Sequence, residues 1–317
     1  MTMRIKRLLL VIIGLPVLLC LLLVFLGALY RAPEMIPAGV VGERVAVGDV
    51  GLRIEQRGAG PDVVLLHGSP GALEDWDVVA EALSRSYRVT RMDRPGQGWS
   101  DAGDRADFEY NAEVVLRMMR SRGLHDVIVV GHSFGGSVAL ALAEKKPPEV
   151  KGVVVVATRG IANDAPTAGM RLLAVPWLGV GLARLTAARV GPGMIRTGLS
   201  AKWHPNEAEI PAGYIDARVA LWIEPKIFVT TARERLLARE RAELVAHYGD
   251  IRKPVVILMG TDDHPNAEQA RAMAKAIVGA RLVMIPGVGH FVQNVRPALV
   301  VQAIDGLRDG TDLGRRP

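Results

Sequence analysis

The distribution of apolar and polar residues divides the chain into two parts. Residues 8–30 form an uncharged apolar stretch that follows three cations, Arg4, Lys6 and Arg7. Because about 20 apolar residues suffice to cross a bilayer, this pattern predicts a transmembrane anchor. A cleaved signal peptide is the competing interpretation, although its apolar core usually spans only about 7–15 residues. The cations predict a cytoplasmic tail at 1–7 and an extracytoplasmic, periplasm-like location for the chain after the anchor.

After a linker at 31–43, short apolar runs alternate with longer segments of helical periodicity. This alternation is typical of a parallel sheet that helices cover on both faces. The predicted strands are 44–47, 52–56, 63–66, 88–92, 127–130, 153–156, 255–259 and 282–285. The predicted helices are 72–84, 110–122, 137–146, 267–278 and 297–307. The pattern therefore predicts an α/β fold with a mostly parallel sheet of eight strands and helices on both faces.

The alternation is interrupted once, between the sixth and seventh predicted strands. Residues 170–190 are rich in leucine and valine, and residues 231–247 have a charged helical pattern. Long loops without secondary structure are uncommon in compact domains, so we predict a helical insertion, or lid, at 159–250. It would separate two parts of one core, 44–158 and 251–317. The pattern leaves open whether these helices shape a substrate site or only add a structural layer.

Charge and cysteine content narrow the possible functions. The net charge is +6, but residues 1–31 contribute four cations and no anions, which leaves +2 for the rest. No basic block with interleaved aromatic residues is present, so the sequence gives no support to nucleic-acid binding. The one cysteine, Cys20, lies inside the apolar stretch, so the remaining chain forms no disulfide and uses no thiolate. The oligomeric state is not predicted.

The segment Gly131–Gly135 carries the clearest chemical signal. It reads Gly-His-Ser-Phe-Gly, directly after the apolar run 127–130 and before a helix-like stretch. A serine at such a sharp strand-to-helix turn adopts a strained backbone, which small residues on either side tolerate. Its hydroxyl is then exposed at a helix N-terminus, where backbone N–H groups favour developing negative charge. Ser133 is therefore the candidate nucleophile.

Four motifs in this order resemble the α/β-hydrolase family, in particular its lid-bearing branch. They are His-Gly-Ser-Pro at 67–70, Asp-Arg-Pro-Gly-Gln-Gly-Trp-Ser at 93–100, the pentapeptide at 131–135 and Pro-Gly-Val-Gly-His-Phe at 286–291. The resemblance covers residues 44–307 and implies a hydrolase with a Ser-Asp-His triad. Asp93 and Arg94 resemble a structural pair that braces the neighbouring loops.

The resemblance assigns the partners of Ser133. A serine needs a positioned imidazole to remove its proton, and His290, after the last strand, matches the family's base. The carboxylate that orients the imidazole matches Asp263, three residues after the glycine that ends the seventh strand. The adjacent Asp262 is the second choice. Some relatives take this acid from the loop after the sixth strand instead, and Asp164 is the carboxylate nearest to that position in this sequence.

Two backbone N–H groups complete the predicted site. Attack on an ester carbonyl produces an oxyanion, which preorganised donors stabilise. Phe134, directly after the nucleophile, supplies one N–H, and the resemblance assigns the other to Ser69. No metal and no organic cofactor is expected.

These residues predict a serine hydrolase that acts on carboxylic esters through an acyl-serine intermediate. The apolar insertion and the membrane anchor indicate a lipophilic small-molecule ester as the substrate. Three alternatives stay open: a carbon–carbon bond hydrolase with the same triad, a haloperoxidase-like perhydrolase, and a non-catalytic, membrane-tethered binding protein of the same fold. The sequence does not indicate the acyl or alcohol specificity.

Overall fold

The computed structural model describes residues 10–29, 36, 39–159, 167–175 and 177–311. A central sheet has the strand order β1-β2-β4-β3-β5-β6-β7-β8. Its strands are β1 (Glu43–Val47), β2 (Val50–Arg57), β3 (Asp62–Leu66), β4 (Arg88–Met92), β5 (Val127–His132), β6 (Val150–Val156), β7 (Val255–Gly260) and β8 (Arg281–Ile285). β2 pairs antiparallel with β1 and β4, and all other pairs are parallel. The predicted eight-stranded, mostly parallel sheet is confirmed.

Helices flank the sheet and follow its strands. In the described part of the chain they are α1 (Leu15–Ala28), α2 (Asp77–Leu83), α3 (Phe108–Ser121), α4 (Phe134–Glu144), α5 (Ala168–Leu173), α6 (Leu178–Trp203), α7 (Tyr214–Trp222), α8 (Pro225–Arg235), α9 (Ala238–Ala246), α10 (Asn266–Ala276), α11 (Val292–Val295) and α12 (Pro297–Asp309). Alternate side chains of the central strands enter two separate apolar cores, one on each face. Burial on both faces explains why β5 and β6 are nearly continuous runs of valine and isoleucine.

The interval predicted as a helical insertion contains α5 to α9, between β6 and β7. The apolar run at 170–190 contributes to two helices, α5 and α6, and α6 continues through Pro192 to Trp203. Helix α7 was not predicted, because its buried positions include Arg218 and its apolar periodicity is correspondingly weak. The division of the chain into core and insertion domains stays a prediction.

The N-terminal apolar stretch is helical where it is described. A π-helical turn at Leu10–Gly14 leads into α1. Among the described residues, Val11–Ala28 is the one segment long and apolar enough to cross a bilayer, and a signal sequence meets the same criterion. Residues 1–9, 30–35, 37 and 38, which include the predicted cytoplasmic tail and about half of the linker, lie outside the described residues.

Candidate active site

The structure places Ser133 at a sharp turn between β5 and α4. Its backbone has φ +52° and ψ −115°, a region that residues with side chains rarely occupy. Two flanking glycines permit the turn: a Cβ on Gly135 would lie 2.5 Å from the His67 carbonyl oxygen, and one on Gly131 would lie 2.5 Å from the Gly136 nitrogen. The Ser133 N–H donates to the Val156 carbonyl oxygen across 2.9 Å, which fixes the turn to the adjacent strand.

His290 and Asp263 come together from two different loops. His290 follows β8, Asp263 follows β7, and His290 Nδ1 lies 2.8 Å from Asp263 Oδ2. Both residues are buried, with 5% and 8% of their surfaces exposed. The second carboxylate oxygen of Asp263 accepts a hydrogen bond from Asn266 Nδ2 at 2.9 Å. His132 Nε2 donates to the His290 carbonyl oxygen at 3.0 Å, which fixes the loop that carries His290.

The two neighbouring aspartates are placed differently. Asp262 is exposed, and its carboxylate accepts a hydrogen bond from the Thr261 hydroxyl at 2.8 Å. The carboxylate bonded to the imidazole is therefore that of Asp263. Asp164, the third candidate, lies outside the described residues.

The environment of the pair determines its protonation. Burial opposes ionisation of Asp263, but the charge of His290 and the hydrogen bonds from His290 and Asn266 outweigh it and lower the pKa of Asp263 to about 2. Burial lowers the pKa of His290 below 6.5, with a further contribution from Lys202, and Asp263 only partly offsets this. At neutral pH the carboxylate is therefore ionised and the imidazole neutral. The Nδ1–H of His290 donates to Asp263, which leaves a lone pair on Nε2.

The loop after β3 passes directly beside Ser133. A Cβ on Gly68 would lie 3.2 Å from the Cβ of Ser133, so a larger residue would crowd the serine. Ser69 follows in this loop, and its hydroxyl is buried with no hydrogen-bond partner among the described residues. Phe134 begins α4, and its ring packs against Phe108 with the centroids 4.7 Å apart. The oxyanion role of the two N–H groups stays a prediction.

Asp93 and Arg94 brace these loops, but they do so through separate partners. Asp93 Oδ2 lies 2.7 Å from Arg53 Nε, and Asp93 Oδ1 accepts from the Leu73 N–H at 2.8 Å. Arg94 Nη1 lies 2.6 Å from Glu234 Oε1, and Arg94 Nη2 donates to the Gly68 carbonyl oxygen at 2.7 Å. Arg94 thereby connects the loop beside the nucleophile to helix α8.

Two of these partners were missed in the sequence. Arg53 lies 40 positions before Asp93, and Glu234 lies 140 positions after Arg94. No local pattern distinguishes either residue from an ordinary surface charge. The fold identifies them, because both side chains are almost completely buried.

A cavity of about 380 Å³ lies over Ser133 and His290. Its wall is mostly apolar and comes largely from helices α5 to α8: Met170, Leu173, Met194, Ile195, Leu199, Trp222, Ile227, Phe228 and Ala232. Besides Ser133 and His290, six side chains make the polar part of the lining: Ser69, Asp75, His132, Lys202, Thr231 and Arg235. Within the described residues, no group of three or more His, Cys, Asp or Glu side chains is placed to hold a metal ion.

The sequence profile of the Alpha/beta hydrolase family matches residues 63–303. The chain belongs to the α/β-hydrolase family. This α/β-hydrolase is 27% identical over 263 residues to the pimeloyl-[acyl-carrier protein] methyl ester esterase of Nitrosomonas europaea, a match that covers 81% of this chain and 99% of that protein. It is also 27% identical over 285 residues to the 2-(acetamidomethylene)succinate hydrolase of Mesorhizobium japonicum, covering 85% and 95% of the two chains.

The fold comparison agrees with the sequence comparison. A thermophilic esterase from Thermogutta terrifontis, solved with malate bound, superposes on this α/β-hydrolase with a TM-score of 0.70 and 26% identity. The superposition covers 85% of this chain and 99% of the esterase. The chain is therefore an enzyme of the α/β-hydrolase type.

Proposed function

We propose that this α/β-hydrolase is a membrane-anchored serine esterase that cleaves lipophilic carboxylic esters. One observation carries the proposal: a neutral His290, oriented by Asp263 at 2.8 Å, lines the same apolar cavity as a strained, accessible serine. A serine needs such a base to become a nucleophile at neutral pH. The esterase named among the relatives supports the same reaction class.

In the proposed reaction, His290 Nε2 removes the proton of Ser133 as its Oγ attacks the ester carbonyl carbon. The carbonyl π bond breaks, and the oxyanion accepts hydrogen bonds from the N–H groups of Ser69 and Phe134. The C–O bond to the alcohol then breaks, and the alcohol leaves with the proton from His290. Water, deprotonated by His290, attacks the acyl carbon, the bond from that carbon to Ser133 Oγ breaks, and Oγ regains the proton from His290 as the carboxylic acid is released. Asp263 stays ionised throughout and stabilises the imidazolium.

The cavity wall supports a lipophilic acyl or alcohol group as the substrate. Side chains such as Leu199, Ile227 and Phe228 give no hydrogen bonds to a polar ligand, and an apolar chain displaces water from them favourably. Helices α5 to α8 supply most of this wall, so we assign them the role of a lid over the active site.

The proposed location follows from the apolar helical segment Val11–Ala28, which includes α1. An uncharged apolar helix of this length loses a large free energy when it is exposed to water, so it retains the chain in a bilayer. The cations at 4–7 support an orientation with the N-terminus in the cytoplasm and the catalytic domain in the periplasm-like space. A reporter enzyme is fused to the C-terminus to test this orientation. Reporter activity detected only outside the cytoplasm would support the orientation, and reporter activity in the cytoplasm would reverse it.

The experiment that tests the function is a substrate panel with the purified full-length protein in detergent or nanodiscs. p-Nitrophenyl esters from acetyl to long acyl chains are compared with a vinylogous diketone and with peroxide in place of water. Ester turnover that increases with acyl length supports the proposal. Rapid diketone cleavage without ester turnover would make the enzyme a carbon–carbon bond hydrolase, and preferential peroxide chemistry would make it a perhydrolase. Well-folded protein without turnover would favour a binding protein.

A further inference from the structure

The apolar N-terminal helix packs on the insertion helices at one defined place. A Cβ on Gly27 would collide with the Trp177 carbonyl oxygen, and a Cβ on Gly181 would collide with that of Leu23. Arg184 Nη1 donates to the carbonyl oxygen of Leu26 at 2.5 Å. Glycine lets the two backbones approach this closely. The last two turns of α1 therefore lie against the beginning of α6.

Apolar side chains around this contact are exposed. Trp177 is 63% exposed, and Leu172 and Val175, at the preceding corner between α5 and α6, are 51% and 43% exposed. Val190, further along α6, is 53% exposed. Single exposed apolar residues are common, but this group lies next to a helix that is itself long enough to span a bilayer.

The charges of the same segment have one sign. Residues 165–206 contain no Asp or Glu and five cations, Arg171, Arg184, Arg189, Arg196 and Lys202. The side chains of the first four are exposed, and Arg196 pairs with Asp216 of α7 at 2.5 Å. Arginines next to a membrane helix are attracted to anionic lipid headgroups, and the exposed apolar residues between them are buried when the surface contacts lipid. Trp177 is exposed and lies against Gly27, near the C-terminal end of α1, which matches the position of the aromatic belt at a membrane interface.

The active-site cavity reaches this surface. Met170 and Leu173 on α5 and Met194 on α6 line the cavity over Ser133. Met194 is also 63% exposed, so it belongs to the cavity wall and to the outer surface of α6 at once. A lipid-soluble molecule that leaves the bilayer beside α5 and α6 thus meets an apolar path to the nucleophile.

We propose that α5 and α6 up to Met194 form a lipid-facing surface that rests on an anionic bilayer and admits the ester directly from it. The surface comprises Leu172, Val175, Trp177, Val190 and the surrounding arginines. The inference rests on the proposed anchor and esterase function. It adds that the substrate is a bilayer-resident ester, not one that enters from bulk water.

The direct test measures lipid exposure of single sites in the full-length protein. In a Cys20→Ser background, a nitroxide is attached to Leu172→Cys, Val175→Cys or Val190→Cys, and the protein is placed in nanodiscs of phosphatidylcholine and phosphatidylglycerol. Val278→Cys is the matched control, because Val278 is 73% exposed and follows α10, outside the insertion. We expect the three sites to collide with oxygen more than with a water-soluble nickel chelate, and the control to show the opposite. If the nitroxides at all three sites collide more with the nickel chelate than with oxygen, the surface faces water and the proposal is overturned. If neither reagent reaches them because another protein molecule covers the surface, the proposal is overturned as well.

A kinetic test separates this surface from the esterase function. Leu172→Ser and Val175→Ser change residues outside the cavity wall, so kcat/KM for p-nitrophenyl acetate in water should stay within about two-fold of wild type. For a long-chain ester embedded in the same lipids, the double variant should raise KM about ten-fold, while Val278→Ser leaves it unchanged. An unchanged KM would refute bilayer entry. Absence of acetate turnover in the wild-type protein would instead refute the esterase function, and the collision measurement would still decide the location of the surface.

Discussion

His290 Nδ1 and Asp263 Oδ2 lie 2.8 Å apart, although the two residues are 27 positions apart and belong to loops after different strands. Asn266 holds the other carboxylate oxygen, and His132 holds the His290 carbonyl oxygen. The imidazole is therefore fixed in one tautomer and one orientation. In the proposed reaction, this geometry leaves His290 Nε2 available as the base in the cavity that Ser133 also lines.

Replacing Asp263 with asparagine should reduce kcat by about 10⁴, since the imidazole then loses its correct tautomer. Asp262→Asn is the matched control and should retain most activity, because Asp262 is exposed and its carboxylate accepts a hydrogen bond from the adjacent Thr261 hydroxyl, away from His290. Steady-state kinetics with p-nitrophenyl acetate measures both. The opposite ranking would transfer the role to Asp262, and two active variants would direct attention to Asp164.

The pH dependence of kcat/KM should report the lowered pKa of His290. The base must be neutral, so activity should keep its plateau from neutral pH down past 6.5, the ordinary imidazole value, and fall only at lower pH. A decline already centred above 6.5 would contradict the buried, neutral imidazole.

The same groups should make folding stability decrease in acid. Below pH 6.5 the unfolded chain binds a proton at His290, whereas the folded chain does so only at lower pH. The free energy of unfolding therefore decreases as the pH is lowered through this range. Asp263 has a lowered pKa, so its contribution is complete above the ordinary value of 3.8 and is lost as pH falls towards about 2. Thermal unfolding of the full-length protein across this range measures both effects. In His290→Gln the loss below 6.5 should be smaller, and an identical pH profile would contradict the assignment.

The ion pair between Arg94 and Glu234 should be a major structural connection between the core and α8. Glu234→Gln would leave the guanidinium buried without its counter-charge, at a cost of about 3–5 kcal/mol. Glu209→Gln is the control, since its pair with Arg296 is about half exposed and should contribute less than about 1 kcal/mol. Thermal unfolding in the same detergent compares them. Equal melting temperatures would show that the buried pair does not stabilise the fold.

Much of the site was predictable because its signals are local. The strained turn at Ser133 requires glycines two positions away on either side, and the positions of the strands follow from runs of apolar residues. The partners of Asp93 and Arg94 were not predictable, because Arg53 and Glu234 reach them only after the chain has folded. Helix α7 was missed for a related reason. Its buried Arg218 pairs with Asp75, so a polar residue occupies a position where periodicity predicts an apolar one.

The central claim is that Ser133 is the acylated nucleophile. Because the triad residues act as a unit, Ser133→Ala and His290→Ala should each remove most of the rate, and the double variant should be hardly worse than either. The most direct measurement is intact mass spectrometry of the full-length protein after treatment with a fluorophosphonate, followed by peptide mapping. We expect one phosphonyl group per chain, located on Ser133, and none in Ser133→Ala, as the acyl-serine mechanism requires. Full-length, folded protein that stays unlabelled, or labelling that persists in Ser133→Ala, would contradict it.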